Sequence, residues 1–191
     1  MSKNAANRRA NGPSMPPASL EMNLSDSGMT ELLGQALAHA LPGAAPASPG
    51  TPAGAVLYLH GELGAGKTTC VRSLLRTLGA VGPVRSPTYT LVETYRLGAW
   101  TCVHVDLYRL HSAVEVDELG LRDLVGPGCL LLIEWPEKGG AAVPPADVDL
   151  TLRYRGDGRH ARMCAATDLG ADWLRNLGLD TRLVPYLSNL T

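Results

Sequence analysis

The chain contains no phenylalanine, and aromatic residues fill only 5% of its 191 positions. Its core must therefore be built from Leu, Val, Ala and Ile, helped by a few Tyr and Trp. It also lacks an excess of either charge: 17 Lys and Arg stand against 18 Asp and Glu, a formal net charge of -1. That balance removes any global electrostatic argument for nucleic-acid binding and leaves only local patches to consider. No apolar run approaches the ~20 residues of a membrane span. Lys3, Arg8 and Arg9 have no apolar stretch behind them, which argues against a secretory signal and for a cytoplasmic protein. The four cysteines, Cys70, Cys102, Cys129 and Cys164, are widely spaced, with no C-x-x-C pair. Three of them sit in apolar runs, so buried reduced thiols are expected rather than disulfides or a metal cluster. Internal repeats are absent.

The length fits one domain with appended sequence. Residues 1–19, rich in Asn, Pro, Ala and Ser, are expected to be a disordered tail. Residues 20–178 form the expected domain, and 179–191 a C-terminal extension without pattern. Within the domain, Leu20 to Leu24 alternates like a short strand. Ser25-Asp26-Ser27 then offers N-caps for an amphipathic helix of about three turns carrying Met29, Leu32, Leu33, Ala36, Leu37, Ala40 and Leu41. Pro42-Gly43 stops it, and residues 42–54 read as a flexible connection.

The most informative stretch follows. The apolar run 55–59 leads into Gly61-Glu62-Leu63-Gly64-Ala65-Gly66-Lys67-Thr68-Thr69, which matches the P-loop pattern G-x-x-x-x-G-K-[ST]. Glycines let the backbone turn so that successive N–H groups face one anion. The helix that follows, with Val71, Leu74, Leu75 and Leu78 on one face and Gly79 at its end, offers its positive N-terminus to the same phosphates. Lys67 would neutralise phosphate charge. The Thr68 hydroxyl would be a ligand to Mg²⁺, which prefers oxygen donors.

Beyond this loop, the residues after Pro87 read as a strand running to about Leu97. It pairs as a hairpin with Trp100–Asp106. Short helices over 114–125, broken near Gly120, precede the most apolar run of the chain, 129–133, which reads as a central parallel strand ending in Glu134-Trp135-Pro136. A second hairpin spans 148–154 and 161–165, with residues 155–160 as the connection, and a terminal helix covers 172–177. The expected fold is an α/β P-loop NTPase-like domain: a mostly parallel central sheet with antiparallel hairpins, flanked by helices.

A P-loop site needs a carboxylate near Mg²⁺ at the end of a neighbouring strand. Asp106 and Glu134 both fit. Glu134 follows the stronger strand and is favoured for the metal shell, with Asp106 orienting the attacking water or acting through a metal-bound water. Ser86 and Thr88 read either as a switch segment sensing the γ-phosphate or as a simple loop-to-strand junction. Trp135 either stacks on a base or packs structurally. Arg159, placed in the hairpin turn, either contacts the nucleotide or is solvated. The histidines show no ligand spacing and read as mostly structural.

Taken together, five segments resemble the bacterial TsaE family, a small P-loop ATPase of tRNA threonylcarbamoyladenosine modification. They are Gly61 to Thr69, Ser86-Pro87-Thr88-Tyr89-Thr90-Leu91-Val92-Glu93, His104-Val105-Asp106-Leu107-Tyr108-Arg109-Leu110, Glu118-Leu119-Gly120-Leu121-Arg122-Asp123 and Ile133-Glu134-Trp135-Pro136-Glu137. The resemblance implies a cytoplasmic protein that binds ATP and Mg²⁺ and works with TsaD- and TsaB-like subunits. It reaches tRNA through that complex, which modifies adenosine 37 of tRNAs reading ANN codons, and its ATP hydrolysis resets the complex. By the same resemblance Thr68 and Glu134 are Mg²⁺ ligands, Asp106 is a catalytic or switch carboxylate, and Thr30 and Arg159 lie by the nucleotide; the residues themselves add Lys67 to the catalytic set and Glu62 to Thr69 and Trp135 to the nucleotide site. Two alternatives remain at this stage: a small-molecule kinase of the P-loop class, and a nucleotide-dependent switch with negligible turnover.

Overall fold

A computed structural model describes residues 18–43, 51–87 and 89–190. The expected tail (save residues 18 and 19), the middle of the 42–54 connection, and Thr88 of the expected switch lie outside these residues. Eight strands form one sheet in the order β3-β4-β5-β2-β6-β7-β1-β8. They are β1 (Ser19–Leu24), β2 (Ala55–His60), β3 (Val92–Leu97), β4 (Trp100–Asp106), β5 (Cys129–Glu134), β6 (Val148–Arg155), β7 (Gly158–Ala165) and β8 (Leu187–Leu190). The helices are α1 (Ser27–Ala40), α2 (Lys67–Thr77), α3 (Ala113–Asp117) and α4 (Asp168–Gly178).

The centre of the sheet, β4-β5-β2-β6, is parallel throughout. The flanks are antiparallel: β3 on β4 at one side, then β7, β1 and β8 at the other. The expected architecture holds, and β5 owes its unbroken apolar run to burial on both faces. Leu130 and Leu132 pack in a core with Leu33, Leu57, Leu74, Leu150 and Met163. Leu131 and Ile133 pack on the opposite face with Val56, Val103 and Val105. Glu134 continues the even-numbered series, so it emerges at the strand's carboxyl end on the face that carries α2.

Local chemistry explains the helix boundaries. The Asp26 side chain caps α1 by accepting from the Met29 N–H at 3.0 Å. Thr167 does the same for α4 through Gly170 N–H at 3.1 Å. Trp173 of α4 is fully buried, and its indole N–H is satisfied by the Leu37 carbonyl at 2.9 Å.

Three expectations need correction. The strand after Pro87 starts only at Val92. Leu91 has φ +64° and donates its N–H to the Pro87 carbonyl at 2.6 Å, so a turn displaces the extended run that its β-branched neighbours suggest. The second hairpin is tighter than expected. β6 and β7 run on to Arg155 and Gly158, leaving only Gly156-Asp157 as the turn, with Gly156 at φ +58°. Arg159 therefore sits in β7 opposite Tyr154, not in the turn. The terminal helix is also longer, from Asp168 to Gly178. Beyond it, residues 187–190 add an edge strand on β1, for which the local sequence carries no signal.

Candidate functional site

β2 ends at His60, and the chain turns through the glycine loop into α2 at Lys67. Gly61 has φ +138°, and a Cβ there would stand 2.3 Å from the Leu152 carbonyl. Gly66 has φ +111° and abuts the Thr30 methyl. Only glycine suits both the conformation and the space. Because α2 starts at Lys67, the N–H groups of its first turn lack intrahelical acceptors and face the loop's concave side.

The Lys67 side chain is 4% exposed. Its Nζ donates to the carbonyls of Gly61 at 2.7 Å and Glu62 at 2.9 Å. It lies 4.0 Å from the centre of the Trp135 ring. Burial pulls this ammonium below the ordinary lysine range, while the carboxylates of Glu134, Asp106 and Glu137 work the other way.

Asp106 and Glu134 are register partners at the carboxyl ends of β4 and β5, the edge at which open α/β sheets place their ligands. Glu134, 2% exposed, accepts from the Thr68 hydroxyl at 2.8 and 3.1 Å. It also accepts from His104 Nε2 at 2.9 Å. Asp106 accepts from the Ser86 hydroxyl at 2.6 Å and from the Tyr108 N–H at 3.0 Å. Ser86 and Asp106 are thus joined at the end of β4.

Thr68, Ser86, Asp106 and Glu134 line a cleft of ≈ 410 Å³, together with Leu63, Gly64, Gly66, Lys67, Thr69, Tyr108, Arg109 and Trp135. Other residues singled out in the sequence stand behind or above it. Thr30 is buried on α1, where it backs Gly66. Ala65 is buried, and its N–H closes a turn onto the Glu62 carbonyl at 3.1 Å. Glu62 is exposed at the loop's outer side. Arg159 reaches the loop from β7: its guanidinium donates to the Gly64 carbonyl at 3.3 Å and stacks 4.1 Å from the Tyr154 ring. Trp135 is half-buried at φ +59°, and its ring lies 5.1 Å from that of Tyr108.

Four further residues contribute that were not assigned to the site from the sequence. Tyr108 and Arg109 flank the cleft just past the end of β4. Tyr154 donates its hydroxyl to the Leu63 carbonyl at 2.9 Å. His104 was read as structural, though the alternation of β4 already places it on the face of Asp106.

The donors at the floor, the Thr68 hydroxyl and the two carboxylates, are all oxygen, which suits a hard divalent ion that also keeps water and phosphate ligands. Among the described residues no group of three or more His, Cys, Asp and Glu side chains forms a self-sufficient metal site. An ion here would need a ligand's own oxygens to complete its shell.

A parallel sheet whose strand runs through a glycine loop into a helix, with carboxylates closing the next two strands, defines the P-loop-type α/β fold. The family model described as "Threonylcarbamoyl adenosine biosynthesis protein TsaE" matches residues 24–163, and the chain belongs to this family of tRNA threonylcarbamoyladenosine biosynthesis. A protein of Haemophilus influenzae named tRNA threonylcarbamoyladenosine biosynthesis protein TsaE is 44% identical over 115 residues, covering 60% of this chain and 73% of its own length. One of the same name from Synechocystis is 39% identical over 124 residues, covering 63% and 72%. The crystal structure of YdiB from Bacillus subtilis superposes with a TM-score of 0.67 at 25% identity, over 86% of this chain and 97% of YdiB. Among the described residues no helix is long and apolar enough to cross a membrane.

Proposed function

We propose that this chain is the Mg²⁺-dependent ATP-binding and ATP-hydrolysing subunit of the complex that installs threonylcarbamoyl on adenosine 37 of tRNAs reading ANN codons. TsaD- and TsaB-like subunits are its partners in the cytoplasm, the group transfer occurs in a partner, and hydrolysis here resets the complex. The observation that supports this reading best is the convergence of Lys67, Thr68, Asp106 and Glu134 on one cleft at the mouth of the glycine loop.

The cleft's ≈ 410 Å³ falls within the range of small-ligand sites. Thr68 and Glu134 would hold Mg²⁺, and the N–H groups of residues 62–69 with the Lys67 ammonium would hold the phosphates. Held there, the ion would supply positive charge against the phosphates. Asp106 stands beside Glu134 with one oxygen on Ser86 and the other on the Tyr108 N–H. It can orient a water for attack while coupling the site to the segment that carries Ser86. Tyr154 and Arg159 hold the outer carbonyls of the loop, fixing the loop's tip for the nucleotide. Trp135 covers the Lys67 side of the cleft.

A kinase would need an acceptor pocket opening on the same phosphates. A second hollow among the described residues, ≈ 220 Å³, is lined by Glu21, Thr151, Arg153, His160 and Arg162 and shares no residue with the cleft. The test is phosphate release from ATP by the purified chain, alone and with its two partner subunits. Slow release alone and faster release with the partners is expected. Absence of stimulation, with phosphate passed instead to an added metabolite, would overturn the proposal in favour of a kinase.

A further inference from the structure

We infer that His104 is a positioning residue for Glu134: its ring Nε2–H holds the carboxylate in the orientation needed to grip a divalent cation. The inference deepens the nucleotide reading above and rests on it.

His104 is 0% exposed, in the middle of β4 and opposite Leu132 of β5. Its Nε2 lies 2.9 Å from Glu134 Oε1. An ionised carboxylate can only accept, so Nε2 carries the hydrogen in this contact. Nδ1 is buried and has no hydrogen-bond partner among the described residues. The ring therefore makes one hydrogen bond, and that bond goes to Glu134.

A site serving packing alone would favour an aliphatic side chain, because a buried ring nitrogen without a partner costs desolvation and returns nothing. The neighbours on this face, Cys102 and Leu132, are fully buried and apolar. The polar ring is accounted for by the group it serves.

Two donors meet on Glu134 Oε1: the Thr68 hydroxyl at 2.8 Å and His104 Nε2 at 2.9 Å. Thr68 belongs to α2 and is itself a proposed metal ligand. His104 belongs to the sheet, the rigid floor of the site. Without it, Glu134 would be steered only by a hydroxyl that the cation also needs. Donors that orient a ligand from behind typically change metal affinity by about 10–100-fold when removed.

The test compares His104→Gln with His104→Asn in the full chain. A glutamine amide reaches about as far as Nε2, whereas an asparagine amide stops near the position of Nδ1. Calorimetric binding of ATP is measured across a Mg²⁺ series and again with the metal chelated. In His104→Asn the half-saturating Mg²⁺ should rise about 10–100-fold, while His104→Gln stays close to wild type. Metal-free ATP affinity should be the same in all three. Equal Mg²⁺ dependence in His104→Asn and wild type overturns the inference. So does a metal-free affinity that falls as far as the metal-bound one, which is the mark of a merely structural role. A wild-type chain whose ATP affinity ignores Mg²⁺ overturns instead the reading on which the inference rests.

One measurement needs no variant. The ¹⁵N resonances of the His104 ring in the folded wild type should report a hydrogen on Nε2. The Nε2 resonance should move when Mg²⁺ is added with nucleotide, and not with nucleotide alone. An Nε2 without a hydrogen, or an Nε2 resonance blind to the metal, overturns the inference even if His104→Asn fails to fold.

Discussion

Replacing Gly34 by alanine tests whether α1 and α2 pack by direct backbone contact, the packing that seats the glycine loop. By helix propensity alone the substitution should stabilise α1 by about 1 kcal/mol. The structure says otherwise. A Cβ at Gly34 would stand 2.3 Å from the Cys70 carbonyl oxygen and 2.9 Å from Ser73 Cβ, where real contacts stay beyond 3.0 Å. The two helices must therefore part by at least 0.7 Å, the difference between 3.0 and 2.3 Å. The clashing atom is backbone in the first turns of α2, so no rotamer change relieves it. Neither side of the contact is soft: Leu33, Leu37, Cys70 and Leu74 are all fully buried. Overpacking of this kind costs about 1–3 kcal/mol. The upper end of that range less the propensity gain leaves an expected net loss of ~2 kcal/mol, or a melting point lower by about 4–8 °C in a chain of this size. Gly28→Ala, at an exposed position in the first turn of the same helix, supplies the control: its added Cβ meets only the Asp26 carboxylate oxygen, at 3.1 Å, so it should melt at or up to about 4 °C above wild type. Because Cys70 lies one turn from Lys67, Gly34→Ala should also weaken nucleotide binding. Thermal unfolding and a binding isotherm on each variant check both outcomes. A Gly34→Ala chain that melts at or above wild type would refute the close packing of α1 on α2.

Other predictions are simpler. His60 touches Asp149 and Glu137 with its two ring nitrogens, each at 3.1 Å, and only the protonated ring can donate to both. The Asp149 hydrogen bond, with help from Glu137, raises its pKa above the usual histidine value despite partial burial. The stabilisation is therefore complete below the unfolded value of about 6.5 and fades as pH rises through the higher folded one. His60→Gln should lower the melting point clearly at pH ~5.5 and much less at pH ~9; equal losses at both would show that the pairing is not ionic. Lys67→Ala should abolish nucleotide-dependent function, as read by ATP binding and phosphate release. Glu134→Ala should raise the Mg²⁺ needed for nucleotide binding by about tenfold or more, whereas an unchanged Mg²⁺ titration would transfer the metal role to Asp106. Tyr154→Phe removes the bond to the Leu63 carbonyl, worth about 0.5–1.5 kcal/mol, and should lower the melting point by about 1–6 °C, with ATP binding weakened by no more than about 10-fold.

The fold was legible wherever a local pattern and tertiary packing ask for the same thing. β5 reads from its apolar run because a strand buried on both faces has no polar alternation to show. α2 reads from Val71, Leu74, Leu75 and Leu78 because only one side of it meets the sheet. Strand order was not legible: nothing in residues 19–24 says that they pair with β7 on one side and β8 on the other. That pairing follows from how α1 and α4 cover the sheet, a long-range consequence with no local trace. The late start of β3 has a similar cause. The residues before it have strand propensity, but Leu91 is held in a turn whose N–H bonds Pro87 and whose carbonyl accepts from the Asp106 N–H. Propensity lost there to the geometry that brings Ser86 onto Asp106.

The site divides along the same line. The glycine loop is contiguous, and each residue type has a local reason, so the motif is readable in one dimension. Asp106 and Glu134 are readable because strand ends can be inferred one strand at a time, and the parallel register of β4 and β5 then sets them side by side. His104 shows where such inference stops. Its place on the face of Asp106 follows from alternation, but its partner lies on another strand and its second nitrogen faces an apolar interior. Neither fact exists until β4 and β5 are paired. Thr30 makes the complementary point. Resemblance placed it by the nucleotide, whereas in three dimensions its methyl packs against Gly66, one residue before the lysine. A side chain in that position can matter to phosphate binding without touching phosphate, because it limits where the loop's last glycine can go. Thr30→Ser keeps the hydroxyl and removes only the methyl. If the methyl's contact with Gly66 is what matters, nucleotide affinity should fall in Thr30→Ser as it does in Thr30→Ala, and be kept in Thr30→Val. The reverse order, with Ser kept and Val impaired, would show that the hydroxyl acts on the nucleotide directly.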